Sequence, residues 1–398
     1  MYILRILFLL FVFLVPEMVS AQATESAKIT LSPEKGFYVE SADGFMGFKI
    51  STRLQQQFGF TVPMDYSDAV QPNFLMRRAR IRIHGYFYDK KLTYFVQTQM
   101  DKGNFTLSNA EFRWKATDNL QLNFGQLWPV GGRQFRTVSE AFQMIDRSPV
   151  SRSYWPGYDI GMIAQYNLEI GKKSLVKSYL SITHGEGMNK PSAEGGMAYG
   201  GRLEWLPFGT FAEGGDYRES DLYHEETPKL SLGGAVYYNQ DAYVQIGGQG
   251  PNNLWKGQED DISALYLDGV FKFNGLSILA EYADRKVDQE IIEQVVGDFF
   301  VQSYSLVVGG SGFSVQGGKF ISPKTEPTLR VSLLNPHDNL QAAKAQFTQQ
   351  NTYTLGLNHF LRGHHLKLQF ELNLLNEEYA AAKDKMYLQV LTQFSISF

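Results

Sequence analysis

The 398-residue chain contains no cysteine. That rules out disulfide staples and a lipid-modified N-terminal Cys. Past the first twenty residues there is no apolar run of 18 or more, so any membrane crossing has to be built from strands. A large charge of one sign is missing too. The formal net charge is −4, close to neutral for this length, which argues against nucleic acid as a partner. No Gly-rich phosphate loop, HExxH helix or nucleophile elbow occurs. His364-His365 sits in a predicted tight turn without an acidic neighbour at ligand spacing. Glu259-Asp260-Asp261 reads as a solvated loop, and His184 and His224 lack a convincing partner. No enzyme, cofactor or metal is therefore expected. No linker or shift in composition divides the chain into two domains.

What is present begins with a secretory signal. Arg5 supplies a positive n-region, Ile6 to Val15 an apolar stretch, and Val19-Ser20-Ala21 a small-residue cleavage site before Gln22. The expected organisation is a cleaved signal peptide over 1–21, a short periplasmic segment over 22–44, and a membrane domain over 45–398. Glycine (37), tyrosine (22) and phenylalanine (29) are abundant. Such a mixture suits a barrel with an aromatic, apolar outside and a polar inside.

Period-two alternation supports this reading most strongly at the end of the chain. Met386, Leu388, Val390, Thr392, Phe394, Ile396 and Phe398 share one face; Tyr387, Gln389, Leu391, Gln393, Ser395 and Ser397 share the other. A strand greasy on one side and wet on the other, closing on an aromatic residue, resembles the C-terminal signature of bacterial outer-membrane proteins, which the barrel-assembly machinery reads at Phe398. Similar runs cover about 48–60, 74–87, 92–100, 105–115, 120–128, 161–170, 175–184, 197–206, 230–239, 262–273, 276–286, 313–321, 328–334, 352–361 and 366–375. With the last, they predict an all-β transmembrane antiparallel β-barrel of about sixteen strands. Asn274-Gly275 is a tight-hairpin signal. Two segments fit less easily. The Gly209 to Lys229 connection is long for the side with short turns, and Phe299 to Val308 reads either as a further strand or as part of an external loop.

The second strand carries the chemistry. In Phe74-Leu75-Met76-Arg77-Arg78-Ala79-Arg80-Ile81-Arg82-Ile83-His84-Gly85, alternation puts Arg78, Arg80, Arg82 and His84 on one face and Ala79, Ile81 and Ile83 on the other. Arg77 falls on the apolar side, near the interface. A lipid-facing arginine costs roughly 2–4 kcal/mol near the midplane, so the three-arginine face belongs to the lumen. Arg53 on the preceding strand and Arg113 on the fourth extend the same wall if the register permits. Guanidinium forks suit carboxylate and phosphate oxygens, and weak sites in series pass an ion along. The competing reading pairs these arginines with interior acids, Glu111 and Asp101 being to hand.

The pattern Phe-x-x-Arg-Arg-Ala-Arg-Ile-x-x-x-Gly resembles the hallmark of the phosphate-selective porin O and P family. The resemblance continues through Gly125 to Gly131, Phe142 to Ser148, Tyr158 to Gly161, Val315 to Gly318 and Glu326 to Ser332. It implies a sixteen-stranded, homotrimeric anion pore embedded in outer-membrane lipid, with phosphate as solute. It also implies that the long connection from Pro129 to Pro156 folds inward, making Arg133, Arg136, Arg147 and Arg152 candidate constriction residues; an ordinary surface loop is the alternative. The lysine-rich vestibule of phosphate-specific members is not evident, because Gln258-Glu259-Asp260-Asp261 and Asp288-Gln289-Glu290 are acidic. Two other readings stay open: a channel for organic acids or oligomeric phosphates, and a non-conducting barrel that binds or scaffolds at the surface.

Overall fold

A computed structural model describes residues 27–32, 36–65, 69–101, 104–171, 173–188, 196–242, 259–288, 291–296, 301–306, 309–336, 349–379 and 383–398. The expected signal peptide, residues 1–21, lies outside them.

Eighteen strands form one antiparallel sheet, and sixteen of these close into a barrel. A hairpin of β1 (Lys28–Ser32) and β2 (Gly36–Glu40) precedes the wall. The wall begins with β3 (Met46–Pro63), β4 (Gln71–Phe87), β5 (Asp89–Asp101), β6 (Asn104–Lys115), β7 (Leu120–Leu127), β8 (Asp159–Ile170), β9 (Ser174–Thr183) and β10 (Ala198–Leu206). It continues through β11 (Lys229–Ala242), β12 (Asp260–Phe273) and β13 (Leu276–Val287). Beyond the external hairpin of β14 (Ile291–Val296) and β15 (Val301–Leu306) come β16 (Gly310–Lys319), β17 (Thr325–Pro336), β18 (Gln349–Arg362), β19 (Leu366–Glu378) and β20 (Lys385–Ser397). The ambiguous stretch around 299–308 thus supplies one arm of a loop hairpin paired only with itself.

Closure uses the edge of β3 twice. β20 pairs with it from Tyr387↔Pro63 to Ser397↔Arg53, and β2 pairs with it further down, from Phe37↔Ile50 to Glu40↔Gly47. Between them, Thr52 N–H donates to the Phe398 carbonyl (2.7 Å) and Phe398 N–H to the Thr52 carbonyl (3.1 Å). The N-terminal segment therefore continues the wall and covers strand edge that would otherwise be bare. Alternation decides which side each residue takes. Leu54, Phe58 and Phe60 are exposed outside, whereas Arg53, Gln55 and Gln57 are buried inside; Phe394 and Phe398 lie outside, Gln393 and Ser395 inside. At the β12–β13 turn Asn274 and Gly275 take φ of 49° and 79°, the left-handed pair that a two-residue hairpin needs.

Among the described residues, two connections turn into the barrel. One joins β7 to β8 and carries short helices α1 (Arg133–Arg136) and α2 (Pro149–Ser153), the second capped by Ser148, whose Oγ accepts from Ser151 N–H at 3.0 Å. Its Val130 and Val150 pack with Tyr154 against Ala198, Ala235, Ala264 and Ala283 of the inner wall. Those alanines replace the polar residues that a water-filled lumen would take, which is why the loop fits. A Cβ on Gly200 would stand 2.8 Å from Val130 Cβ, and one on Gly312 2.8 Å from Val150 Cγ2. The second connection, 207–228 between β10 and β11, enters from the short-turn side, the place where its length had no explanation in a simple hairpin. Its Phe211 packs with Leu206, Val270 and Leu279.

Candidate functional site

The arginine strand meets the inward loop. Arg78 and Arg80 are buried on the lumen side, and Arg82 is half-buried there. Arg77 departs from the sequence reading. The β3–β4 register runs Gln55↔Arg78 and then Gln56↔Met76, so Arg77 is the extra residue of a β-bulge. A bulge leaves one residue unpaired and re-aims its side chain. Instead of facing lipid, Arg77 reaches Asp146 of the loop through Nη2 (2.8 Å) and Nε (3.1 Å), while Arg78 Nη2 reaches the same carboxylate at 2.7 Å. Arg82 forks onto both oxygens of Glu140 at 2.7 and 2.9 Å, and Arg53 pairs with Glu140 and Ser139. Burial on its own would raise the Asp146 carboxyl, but Arg77, Arg78 and Arg152 outweigh it and hold the group far below the ordinary carboxylate range. Glu140 is lowered as well, with Arg82 overcoming burial.

The interior acids that engage the wall are thus mainly those of the loop. Of the two acids suggested by sequence, Glu111 accepts from Arg113 at 2.7 Å on the same strand; the Asp101 side chain lies outside the described residues. Asp146 and Glu140 are not legible as partners in the sequence, because they stand 68 and 58 positions from Arg78 and Arg82 and meet them only when the loop folds inward. The available signal was a pair of acids inside a loop otherwise rich in arginine.

The loop arginines divide. Arg133 enters a closed group: its Nε meets Asp268 at 2.7 Å, Asp268 also takes Arg202 at 2.7 and 2.9 Å, and Arg202 meets Glu204 at 2.6 Å. Two cations and two anions cancel there. Arg147 donates to the carbonyls of Gln134, Phe135 and Thr137 at 3.0–3.1 Å and lies over the Phe142 ring, so it folds the loop onto itself. Arg152 stands on α2 close enough to act on Asp146. Arg136 is the one of the four that lines the lumen cavity on the β5–β9 side. Its guanidinium lies 4.3 Å above the Tyr179 ring, and it makes no hydrogen bond or ion pair among the described residues.

The second insert locks onto the first. Glu219 accepts from Gln143 N–H (2.7 Å) and Gln134 Nε2 (3.0 Å), and its own N–H donates to the Ala141 carbonyl (3.0 Å). Lys177 holds Asp216 at 2.5 Å, Ser220 donates to Glu326 at 2.7 Å, and buried Lys272 donates to the Ser220 carbonyl at 2.8 Å. No sequence motif marked these residues; only the excessive length of the connection did.

On the β5–β9 side the lumen keeps a cavity of about 250 Å³, lined by Phe95, Asn109, Glu111, Arg113, Gln121, Asn123, Trp128, Arg136, Gln165, Tyr179 and Tyr217, among others. Arg113 lies 5.0 Å over the Phe95 ring, and His84, from the arginine row, stacks on the same ring at 4.5 Å. Three buried N–H groups of the lining have no partner among the described residues: Arg136 Nη1, Arg113 Nε and Trp128 Nε1. A larger hollow, about 690 Å³, is lined by outward residues such as Leu180, Tyr199, Val236 and Leu265 and faces the membrane.

A family model described as phosphate-selective porin O and P matches residues 48–395. Among solved structures, the chain resembles an anion-selective porin from Comamonas acidovorans at 10% identity and TM-score 0.55, covering 88% of this chain and 100% of that one. It resembles the outer-membrane channel DcaP of Acinetobacter baumannii at 12% identity and TM-score 0.54, covering 90% and 99%. For Salmonella typhi OmpF in complex with daunomycin the figures are 12%, 0.57, 90% and 100%. At such identities the likeness is one of fold. No curated protein matches the chain.

Proposed function

The chain belongs to the phosphate-selective porin O and P family, an integral β-barrel of the outer membrane, and we propose that it conducts small anions by diffusion along the β5–β9 side of its lumen. The observation that carries this reading is the cavity where Arg136, which makes no ion pair among the described residues, stands with Arg113 and Trp128 and their unpartnered N–H groups. Buried donors without acceptors call for a guest that brings acceptors, and a positive centre in a low-dielectric passage lowers the barrier for anions. Phosphate is one such anion. Arg53, Arg78 and Arg82 are engaged with Glu140 and Asp146, so phosphate meets Arg113 and Arg136 rather than a ladder of bare guanidiniums. Arg133, Arg147 and Arg152 narrow the passage by shaping the loop. Insertion by the barrel-assembly machinery, reading the strand that ends at Phe398, and assembly as a homotrimer complete the proposal.

The deciding experiment is the reversal potential of the purified mature protein under a KCl gradient in planar bilayers, with the Arg136→Gln variant alongside. Anion selectivity that falls in the variant supports the reading; cation selectivity in the unaltered protein sinks it. The two inserts that meet inside the barrel favour a second reading, a non-conducting barrel, which absence of any channel event would select.

A further inference from the structure

We infer that the β5–β9 cavity is a binding site for a singly charged, hydroxylated carboxylate of monosaccharide size, a sugar acid. This rests on the channel reading above and names the class of solute that the passage selects.

Charge sets the first limit. Arg113 is cancelled by Glu111 at 2.7 Å and Lys177 by Asp216 at 2.5 Å. The adjoining group of Arg133, Arg202, Asp268 and Glu204 is neutral. Among the charged side chains of the lining Arg136 remains, so the lining offers one net positive charge, matched to a monoanion. Inorganic phosphate near neutral pH carries between one and two negative charges, and the excess would be desolvated without compensation.

Geometry sets the second. The Tyr179 ring occupies the face of the Arg136 guanidinium at 4.3 Å. Its in-plane N–H edge is what remains for a guest, and that edge fits a carboxylate fork.

The third limit comes from the amides. Gln121 donates to Asn123 at 2.8 Å and Gln165 to Asn167 at 3.4 Å. Among the described residues no donor reaches the Gln121 and Gln165 carbonyl oxygens beside the cavity. Acceptors at one part of the lining and unpartnered donors at another require a guest that both accepts and donates. A carboxylate with hydroxyl groups does both, whereas chloride and benzoate bring no donor. Size agrees: about 250 Å³ is below the roughly 300–1,000 Å³ of sites that enclose drug-sized ligands.

The test is the block of chloride current in planar bilayers by D-glucuronate, benzoate and inorganic phosphate, each titrated separately at neutral pH. Half-block by glucuronate is expected at a concentration about tenfold below that of either other anion, a difference equivalent to roughly 1.4 kcal/mol. In the Gln121→Leu/Gln165→Leu double variant the glucuronate value should rise to that of benzoate. Equal or tighter block by phosphate or benzoate, no block by glucuronate, or an unchanged preference in the double variant overturns the inference. The KCl reversal potential keeps the two failures apart. An anion-selective channel that ignores glucuronate removes only the sugar-acid site, while a cation-selective one removes the channel reading beneath it.

Discussion

Replacing Asp146 by Asn probes how the inward loop is held. The carboxylate serves Arg77 at 2.8 Å and Arg78 at 2.7 Å. Its side chain is 19% exposed and that of Arg78 only 3%. Removing one partner of a buried pair costs about 3–5 kcal/mol because the other charge is left uncompensated; the residual exposure of Asp146 places the cost near 3. Arg78 would keep only Gln55 Oε1 at 3.2 Å and the Ile145 carbonyl at 3.5 Å. Several other anchors survive: Glu140 with Arg53 and Arg82, Gln143 with Ser277 and Glu326 (2.8 and 2.7 Å), and Ile145 N–H with Glu371. Charge-assisted bonds are worth about 1.5–3 kcal/mol each, so together they exceed the loss and the loop stays docked. The expected result is a barrel less stable by about 3 kcal/mol to denaturant in detergent, with near-normal unitary conductance and a stronger preference for anions. Combined with Arg78→Gln, the loss should fall short of the sum of the single losses by about 2 kcal/mol, as for residues in direct contact. Stability within about 0.5 kcal/mol of the parent, or additive losses in the double variant, would refute the proposed latch.

Three further outcomes follow from the same contacts. Glu140→Gln should free Arg53 and Arg82 together and raise the anion-to-cation permeability ratio, measured by reversal potential, with no such rise for Lys324→Gln on an exposed turn. The pH response has a definite sign. The Asp146 carboxyl is depressed in the folded state, so its contribution is fully present above the unfolded value of about 3.9 and is lost only as pH falls through the depressed value. The latch itself should therefore not titrate between about pH 5 and 8, so the conductance–pH profiles of the parent and of Asp146→Asn should have the same shape over that range, and a step present only in the parent would contradict the assignment. Finally, Gly275→Val forces a β-branched residue to a φ of 79° and should destabilise the folded barrel by about 1–3 kcal/mol, read as an earlier urea midpoint.

Much of the wall is legible in the sequence because a strand between lipid and water must alternate. All sixteen expected runs coincide with wall strands to within a few residues at each end. Asn274-Gly275 and the final strand read correctly for local reasons, backbone conformation in the first and side-chain period in the second. The arginine row was legible only as a direction. Period two sends Arg78, Arg80 and Arg82 inward, yet it fails at Arg77, because a bulge changes parity and nothing in the local pattern reveals one.

What the sequence alone determined is therefore the barrel: strand number, which faces meet lipid, and an arginine-bearing inner wall. Those features depend on contacts within a few residues or on the simple opposition of lipid and water. The tertiary structure decided what the inner wall does. Arg78 meets Asp146 across 68 positions of chain, Arg133 meets Asp268 across 135, and Gln143 meets Glu326 across 183. Such pairings depend on where two inserts come to rest, and this is set by the alanine-lined side of the lumen and by the mutual cancellation of buried charge. Arg136 stands out only once both inserts are in place, as the loop guanidinium that lines the remaining lumen cavity.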